Sequence, residues 1–508
     1  MKKQFVIVGG GTAGWLAALY YQKYHNNIFD ITVIESSKIG IVGVGEGATF
    51  QLIAFLDSIN IPVSDLVKHT GATIKSAIKF TNWLNDGSYF YHGFIQHPQY
   101  DAFYSLLDNN RPLILLNSIA NSEDIKLINL TDNLCDLYKV PFIKNNSINN
   151  TNNIFDFDQY SSFSLHFNTN KLGQYLKSIG ISRGIKTIDA IVVDQTVDEA
   201  GFIRSLNIDN NATISTDFVV DCTGFSRYFI KGIYNSPWIS YQKYLPVNKA
   251  IPFFVDIPKT EKIPPYTEAI AMKYGWVWKI PVQDRFGCGY VFDSSSISRE
   301  QALEEAEHLF NQKLESPRTI SFEAGTFTKA WNKNCLALGL AAGFIEPLES
   351  TSIWSTINSI LAFSDRILDF DSGNEQIVDD YNKFYSDMNQ EIFEFVYMHY
   401  LTKRTDTDFW KKFHRKDHPE NLIKNLNRLN SYSAFNGTVF GKYFLVFSWI
   451  HIAYNMKLLD TKLYNDLYTK LTINSTEVNT RKQELINNIY KAMPLAIDHR
   501  EFLEYLKR

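Results

Sequence analysis

Cysteine is scarce in this chain of 508 residues. The four present, Cys135, Cys222, Cys288 and Cys335, form no C-x-x-C pair. That spacing suggests neither a metal site nor a disulfide framework, and it fits a reducing, cytoplasmic setting. An excess of one charge is also lacking: 50 Lys and Arg stand against 54 Asp and Glu, a formal net charge of −4. Nothing in that balance calls for nucleic acid or an anionic membrane as a partner. Long hydrophobic runs are absent. The most apolar late stretch, 439–456, carries Lys442 and His451, so a buried helix is expected there and not a membrane span. The brief apolar run behind Met1 turns at once into glycines and reads as a strand, not a signal peptide.

Aromatic and apolar side chains are plentiful. Hydrophobic residues make up 45% of the chain, and 28 Tyr with 37 Phe raise the aromatic share to 15%. That is more than one small core needs, and a ring-lined cleft is a natural addition. Pattern divides the chain into an α/β core over 1–375, with a substrate-side insertion at about 80–160, and a largely helical lobe over 376–508. The Asn-rich stretch 145–153 reads as a polar surface loop. Ser298 and Gln301 are spaced as a capping box before a helix over 298–314. Helical patterns also cover 379–404 and 475–508.

The N-terminus alternates strand (4–8), glycine turn (9–14), helix (15–24) and strand (30–35), a βαβ unit with a parallel sheet. Gly9, Gly11 and Gly14 form G-x-G-x-x-G in that turn. Such a turn needs residues without Cβ, and the helix start behind it offers amides to a pyrophosphate. Glu35 closes the second strand where an acid accepts from ribose hydroxyls. The runs 187–193 and 218–222 read as further strands of the same layer. The second of them ends in Asp221-Cys222-Thr223-Gly224, a D-x-T-G that resembles the second flavin-contact strand of FAD-dependent monooxygenases. A strand-end turn is the plainer role for Asp221. No second complete glycine fingerprint exists for a nicotinamide, so FAD on one Rossmann unit is the expected cofactor.

The segment 275–281, Gly-Trp-Val-Trp-Lys-Ile-Pro, contains W-x-W-x-I-P. With it the sequence resembles the flavin-dependent halogenases, the tryptophan halogenase branch above all. Four more segments match in order: 43–47 (GVGEG), 74–83 (IKSAIKFTNW), 343–351 (GFIEPLEST), and Met493-Pro494 followed by Phe502-Leu503. The resemblance implies a Rossmann-type FAD fold of the flavin monooxygenase type, and an enzyme that uses FADH2, oxygen and halide to halogenate an electron-rich aromatic through hypohalous acid. A separate flavin reductase, the aromatic substrate and a second copy of the chain are the implied partners. Two other readings stay open from the residues: an FAD-dependent monooxygenase or reductase, and a non-catalytic FAD-binding protein.

By position in the matched motifs, Lys79 is the implied catalytic lysine, Glu349 the catalytic glutamate, and Ser350 a link between substrate and flavin sides. Trp276 and Trp278 are the implied flavin shield. The implied flavin contacts are Gly9, Gly11, Thr12, Ala13, Gly14, Glu35, Gly45, Glu46, Val192, Asp221, Gly224 and Leu340. Thr351 and Ser352 open a helix whose amides suit a halide. Where the family carries glycine this chain has Ser352, so bromide, with iodide behind it, is expected to be used better than chloride. His92 and Phe94 resemble the family's aromatic sandwich. Tyr443 and Phe444 resemble a pair that grips the amino-acid backbone of tryptophan, with one tyrosine replaced by phenylalanine and no glutamate close behind. An indole or phenol without an amino-acid handle is therefore the expected substrate.

Overall fold

A computed structural model describes all residues except 1, 41–42, 44, 95–110, 144–162, 317, 372–373, 432–440, 471–473 and 508. The Asn-rich stretch 145–153 lies outside the described residues. The chain forms two compact units, each assembled from three segments. The first holds 1–72, 167–249 and 320–393, and the second holds 73–166, 250–319 and 394–508. Sequence order alone suggested one cut near 375. Strand pairing between distant segments divides the chain instead.

The first unit is built on a six-stranded sheet. Its order is Trp331–Asn332, Cys335–Ala337, Phe218–Asp221, Lys3–Val8, Phe29–Glu35, Lys186–Asp189. All pairings except the outermost are parallel, with Val6 opposite both Val219 and Thr32. Phe5, Val6, Ile7, Val33, Val219 and Val220 are almost wholly buried, the continuous apolar strand pattern of a sheet covered on both faces. The stretch 187–193 divides: its first half joins this sheet, and Val192–Val197 starts an antiparallel one with Ile203–Ile208. Ile203, Leu206 and Ile208 are the buried residues of the latter strand, and the alternation breaks between Ile203 and Leu206, where the pairing shifts register. Helix Thr12–His25 follows the first strand directly. It packs on helix Thr169–Ser182 closely enough that a Cβ on Gly180 would meet the Trp15 ring at 2.5 Å.

The second unit carries a mixed sheet whose strands run Lys249–Asp256, Arg285–Phe292, Gly275–Pro281, Tyr266–Ala271, Ala77–Thr81, Tyr89–Gly93. Only the contact between Tyr266–Ala271 and Ala77–Thr81 in the register from Lys279 to Tyr91 is parallel. Val277, Cys288, Tyr290 and Phe292 put one face into a core with Ala302 and Ala306. Those alanines belong to helix Arg299–Phe310, which starts with the expected capping box between Ser298 and Gln301. Helices Val446–Asn455, Ser475–Ala492 and His499–Leu506 follow near the C-terminus. Among the described residues, no helix is long and apolar enough to cross a membrane.

Candidate active site

The glycine turn at the head of the first sheet has no room for a side chain at Gly9 or Gly14. Gly9 adopts φ +117°, and a Cβ there would fall 2.1 Å from the Cys222 carbonyl oxygen. A Cβ on Gly14 would fall 1.9 Å from the Gly9 oxygen, so helix and turn meet backbone to backbone. Gly11 opens onto space with nothing within 4 Å of its missing Cβ, and the Thr12 hydroxyl is buried without a hydrogen-bond partner. A turn that is tight behind, open in front and supplied with an unused donor fits the pyrophosphate of FAD. Ala13 stands 2.9 Å from where a Cβ on Gly339 would lie, which brings the turn Gly339–Ala341, with Leu340, to the same end of the sheet.

Glu35 lies at the end of its strand as expected. It already accepts from Trp15 Nε1 at 3.3 Å and faces Lys177 Nζ at 2.5 Å. Asp221 is wholly buried and accepts four hydrogen bonds, from Thr223 N, Thr223 Oγ1, Phe229 N and Ile230 N. Burial pushes its carboxyl upward against those donors. Its carboxylate thus shapes the turn that sets Gly224 at φ +64°. Val192 packs into the core with Val8 and Ile34. Gly45 adopts φ +129°, and the half-buried Glu46 beside it has its carboxyl pushed up to about 7 by desolvation.

The loop expected to hold the halide lies in the same unit. Glu349, Ser350 and Thr351 are buried, and Ser352 is exposed. Ser350 takes the left-handed conformation (φ 55°), rare for a residue with a side chain, while its amide donates to the Pro347 oxygen at 3.1 Å. That reversal launches helix Thr351–Ser364, so the amides of Thr351 and Ser352 belong to its unsatisfied first turn.

In the second unit, strand register sorts the sequence-singled residues onto two faces. Paired residues share a face, and neighbours along a strand alternate. Phe80, Ala269 and Trp278 form one row, with Trp276 and His92 on that same face. Lys79, Glu268, Lys279 and Cys288 form the next row, on the opposite face. Lys79 Nζ lies 3.9 Å from Glu268 Oε1 and 4.1 Å over the Tyr89 ring, with Tyr266 and Tyr91 at 5.5 and 5.9 Å. The strand therefore turns Lys79 away from the tryptophans and His92, into an ion pair that Lys279 shares.

Lys75 is placed differently. It is fully buried, and its Nζ lies 5.6 Å from the centre of the Phe94 ring. Ser76 separates its short strand from the next: Ser76 N donates to the Pro265 oxygen, and its carbonyl accepts from Phe94 N. The break ties the backbone beside Lys75 to the backbone of Phe94. Two buried histidines line the same short strand. His499 Nε2 accepts from Ile74 N at 2.9 Å, which requires the neutral ring, and burial lowers its pKa to about 4. His166 bridges Thr73 Oγ1 and Thr267 Oγ1, and burial lowers it well below the ordinary range.

A pH effect follows. A histidine that titrates near 4 when folded and near 6.5 when unfolded stabilises the fold fully above pH 6.5, and that contribution drains away as pH falls toward 4. For His499 it amounts to on the order of 3 kcal/mol. Thermal melts should be flat from pH 7 to 8 and fall steeply between 6 and 4. In His499→Gln the fall should be shallower, and an unchanged slope would count against this role.

Aromatic rings gather beside His92. It lies 5.7 Å from Phe395 and 6.1 Å from His451, whose Nε2 donates to the Tyr91 carbonyl. Phe444 stacks on Phe395 at 4.0 Å and 12°, and Trp449 meets the same ring edge-on at 5.1 Å. Tyr443 is half-buried beside Lys442, whose Nζ lies 5.4 Å from its ring. Trp276 and Trp278, both buried, lie 6.5 Å apart, and Gly289 opposite has no Cβ because the Trp278 indole fills that space at 2.2 Å. Sequence reasoning did not reach Lys75, Phe395 or His451. Two lysines four apart look alike in one dimension, and the strand break at Ser76 carries no sequence signal.

One unit thus carries a Rossmann-type dinucleotide turn and a buried loop that opens a helix behind a left-handed Ser350. The other carries a buried lysine, two buried tryptophans and a ring cluster. The dinucleotide turn defines a nucleotide-cofactor protein of the Rossmann class. The family model described as tryptophan halogenase matches residues 4–470. The tryptophan 6-halogenase SttH of Streptomyces toxytricini is 30% identical over 449 residues, 83% of each chain. Among solved structures, Tar14, a tryptophan C-6 flavin-dependent halogenase from taromycin biosynthesis, matches with TM-score 0.86 and 27% identity over 100% of both chains. BrvH, a flavin-dependent halogenase from Brevundimonas sp. BAL3, matches with TM-score 0.83 and 27% identity, again over 100% of both. The chain belongs to the tryptophan halogenase family, and it is a flavin-dependent halogenating enzyme that uses FADH2, oxygen and halide.

Proposed function

We propose that this enzyme halogenates an indole or phenol without an amino-acid handle, and that Lys75 delivers the halogen. The observation that carries the substrate reading is Phe444 stacked face-on to Phe395 at 4.0 Å. A ring spent on another ring offers no hydroxyl to an ammonium or carboxylate, and a zwitterion left unmatched in such a pocket is rejected strongly. A flat aromatic instead gains stacking beside His92 and Phe94.

Reduced FAD, when bound, supplies the oxidation that turns oxygen and halide into hypohalous acid. The ammonium of Lys75 donates a hydrogen bond to the oxygen of that acid and polarises the oxygen–halogen bond toward the ring. Burial excludes water from the lysine, which strengthens the hydrogen bond and protects the reagent. Glu349 has the chemistry of a general base for the ring proton. The amides of Thr351 and Ser352 hold the halide, and a separate reductase supplies FADH2.

The test is a screen of indoles, phenols and free tryptophan with reductase, FAD and each halide, read by mass shift and isotope pattern. Halogenated indole or phenol in excess over halogenated tryptophan supports the reading. Efficient turnover of free tryptophan, or hydroxylated product, rejects it.

Halide choice is a further expectation. Ser352 places a side chain at the first turn of the helix, where it reshapes the space for the ion. With bromide and chloride equimolar, brominated product should dominate. Ser352→Gly should move the ratio toward chloride by roughly tenfold, the size of one modest contact. Chloride winning in the unaltered enzyme would reject this.

A further inference from the structure

Lys79 has no part in the delivery of halogen to substrate, yet its surroundings are reactive. Lys79, Thr81, Tyr89 and Tyr91 share one sheet face, because Thr81 pairs with Tyr89 and Lys79 with Tyr91. The Lys79 nitrogen lies 4.1 Å over the centre of the Tyr89 ring. Its partner Glu268 stays 3.9 Å away, beyond the reach of a close hydrogen bond. Tyr89 is 40% exposed, and 18% of the Lys79 side chain reaches solvent, so both meet a small solute from water. The Tyr89 hydroxyl donates to Asp136 Oδ1 at 3.0 Å, and a phenol that donates to a carboxylate has an electron-rich ring. Lys126 lies farther from the same ring, at 5.3 Å, and its nitrogen is spent on Asp136 Oδ2 at 2.9 Å. The remaining reactive neighbours are closed off. Tyr91 and Tyr266 are buried, and Cys135, which packs with both, is wholly buried.

We propose that Lys79 and Tyr89 form a self-halogenation site, at which hypohalous acid escaping from the enzyme is trapped as a halotyrosine. The inference rests on the halogenating activity and not on the choice of substrate. The neutral amine of Lys79 attacks the halogen of the acid. The nitrogen–halogen bond forms, the oxygen–halogen bond breaks, and the departing hydroxide leaves as water with a proton from the amine. A Tyr89 ring carbon beside the one that bears the hydroxyl then attacks that halogen. The carbon–halogen bond forms, the nitrogen keeps the electron pair of the bond that breaks, and it takes the proton the ring releases. Lysine is restored and Tyr89 carries the halogen. An amine above the ring face presents the halogen where aromatic substitution needs it, and a held reagent reacts faster than one arriving from solution. The site lies on the sheet face opposite His92, Trp276 and Trp278, so halogen caught there does not reach the substrate side.

The test treats the whole protein with equimolar hypobromous acid and maps bromine on each tyrosine peptide by mass spectrometry. Tyr89 should be labelled ahead of Tyr490, although Tyr490 is more exposed at 54%. Lys79→Arg keeps the charge beside Glu268 but replaces the amine. In it Tyr89 labelling should fall roughly tenfold, a modest share of what a held reagent contributes, while Tyr490 labelling stays put. Lys79→Met should show the same loss, so a folding defect in one variant does not decide the result. During turnover with reductase, FAD and bromide but no aromatic, Tyr89 should again be the brominated tyrosine. Labelling of Tyr89 no greater than that of Tyr490, or unchanged in both lysine variants, would overturn the proposal. So would turnover that brominates an added indole and leaves Tyr89 unmarked when the indole is withheld. If Tyr89 is brominated in turnover while indoles and phenols are not, this site stands and the proposed substrate class falls.

Discussion

Lys75→Met is expected to stop halogen transfer, with a loss of roughly a thousandfold in kcat/KM, while FAD still binds. Methionine keeps the length and volume of the buried side chain, so the fold should survive where alanine would leave a hole. The same substitution at Lys79 should cost no more than a fewfold. Lys79 faces away from Trp276, Trp278 and His92, and its partner Glu268 would still receive Thr81 Oγ1 at 2.8 Å and Lys279 Nζ at 3.9 Å. Halogenated product from a fixed indole, measured with excess reductase, separates the two lysines. A dead Lys79→Met beside an active Lys75→Met would return the role to Lys79.

The second large effect is structural. Asp221→Ala should destabilise the FAD-free protein by on the order of 3–5 kcal/mol. The carboxylate is fully buried, and without it the amides of Phe229 and Ile230 lose acceptors at 2.9 and 3.0 Å. Asp221→Asn should fall between, because its amide nitrogen presents a donor where the protein already supplies donors. Denaturant unfolding of the FAD-free protein measures this directly. A contact made only to the flavin would leave that curve untouched and lower FAD affinity alone. The four internal hydrogen bonds argue for the opposite order: stability falls first, and FAD binding falls with it.

Local features were legible in proportion to how local their physics is. The glycine turn is written in its residues, because only glycine tolerates φ +117° with a carbonyl 2.1 Å from the missing Cβ. The capping box at Ser298 needs only a partner three residues on. The helix behind Ser350 begins where the run of hydroxyl residues suggested. Less came through where one residue answers to several strands. The stretch 187–193 reads as one strand, yet it splits between two sheets because each half has a different partner.

The sequence by itself determined the family, the nucleotide turn and the helix-start loop, since each rests on contiguous residues whose conformations are set by neighbours a few positions away. Only the tertiary structure decided which lysine is fully buried beside Phe94, what Asp221 does with its oxygens, and that Phe444 is spent on Phe395. Those outcomes depend on strand register and on partners tens to hundreds of residues distant. A single break such as Ser76 redirects a side chain from one face to another, and nothing in a linear pattern reports it.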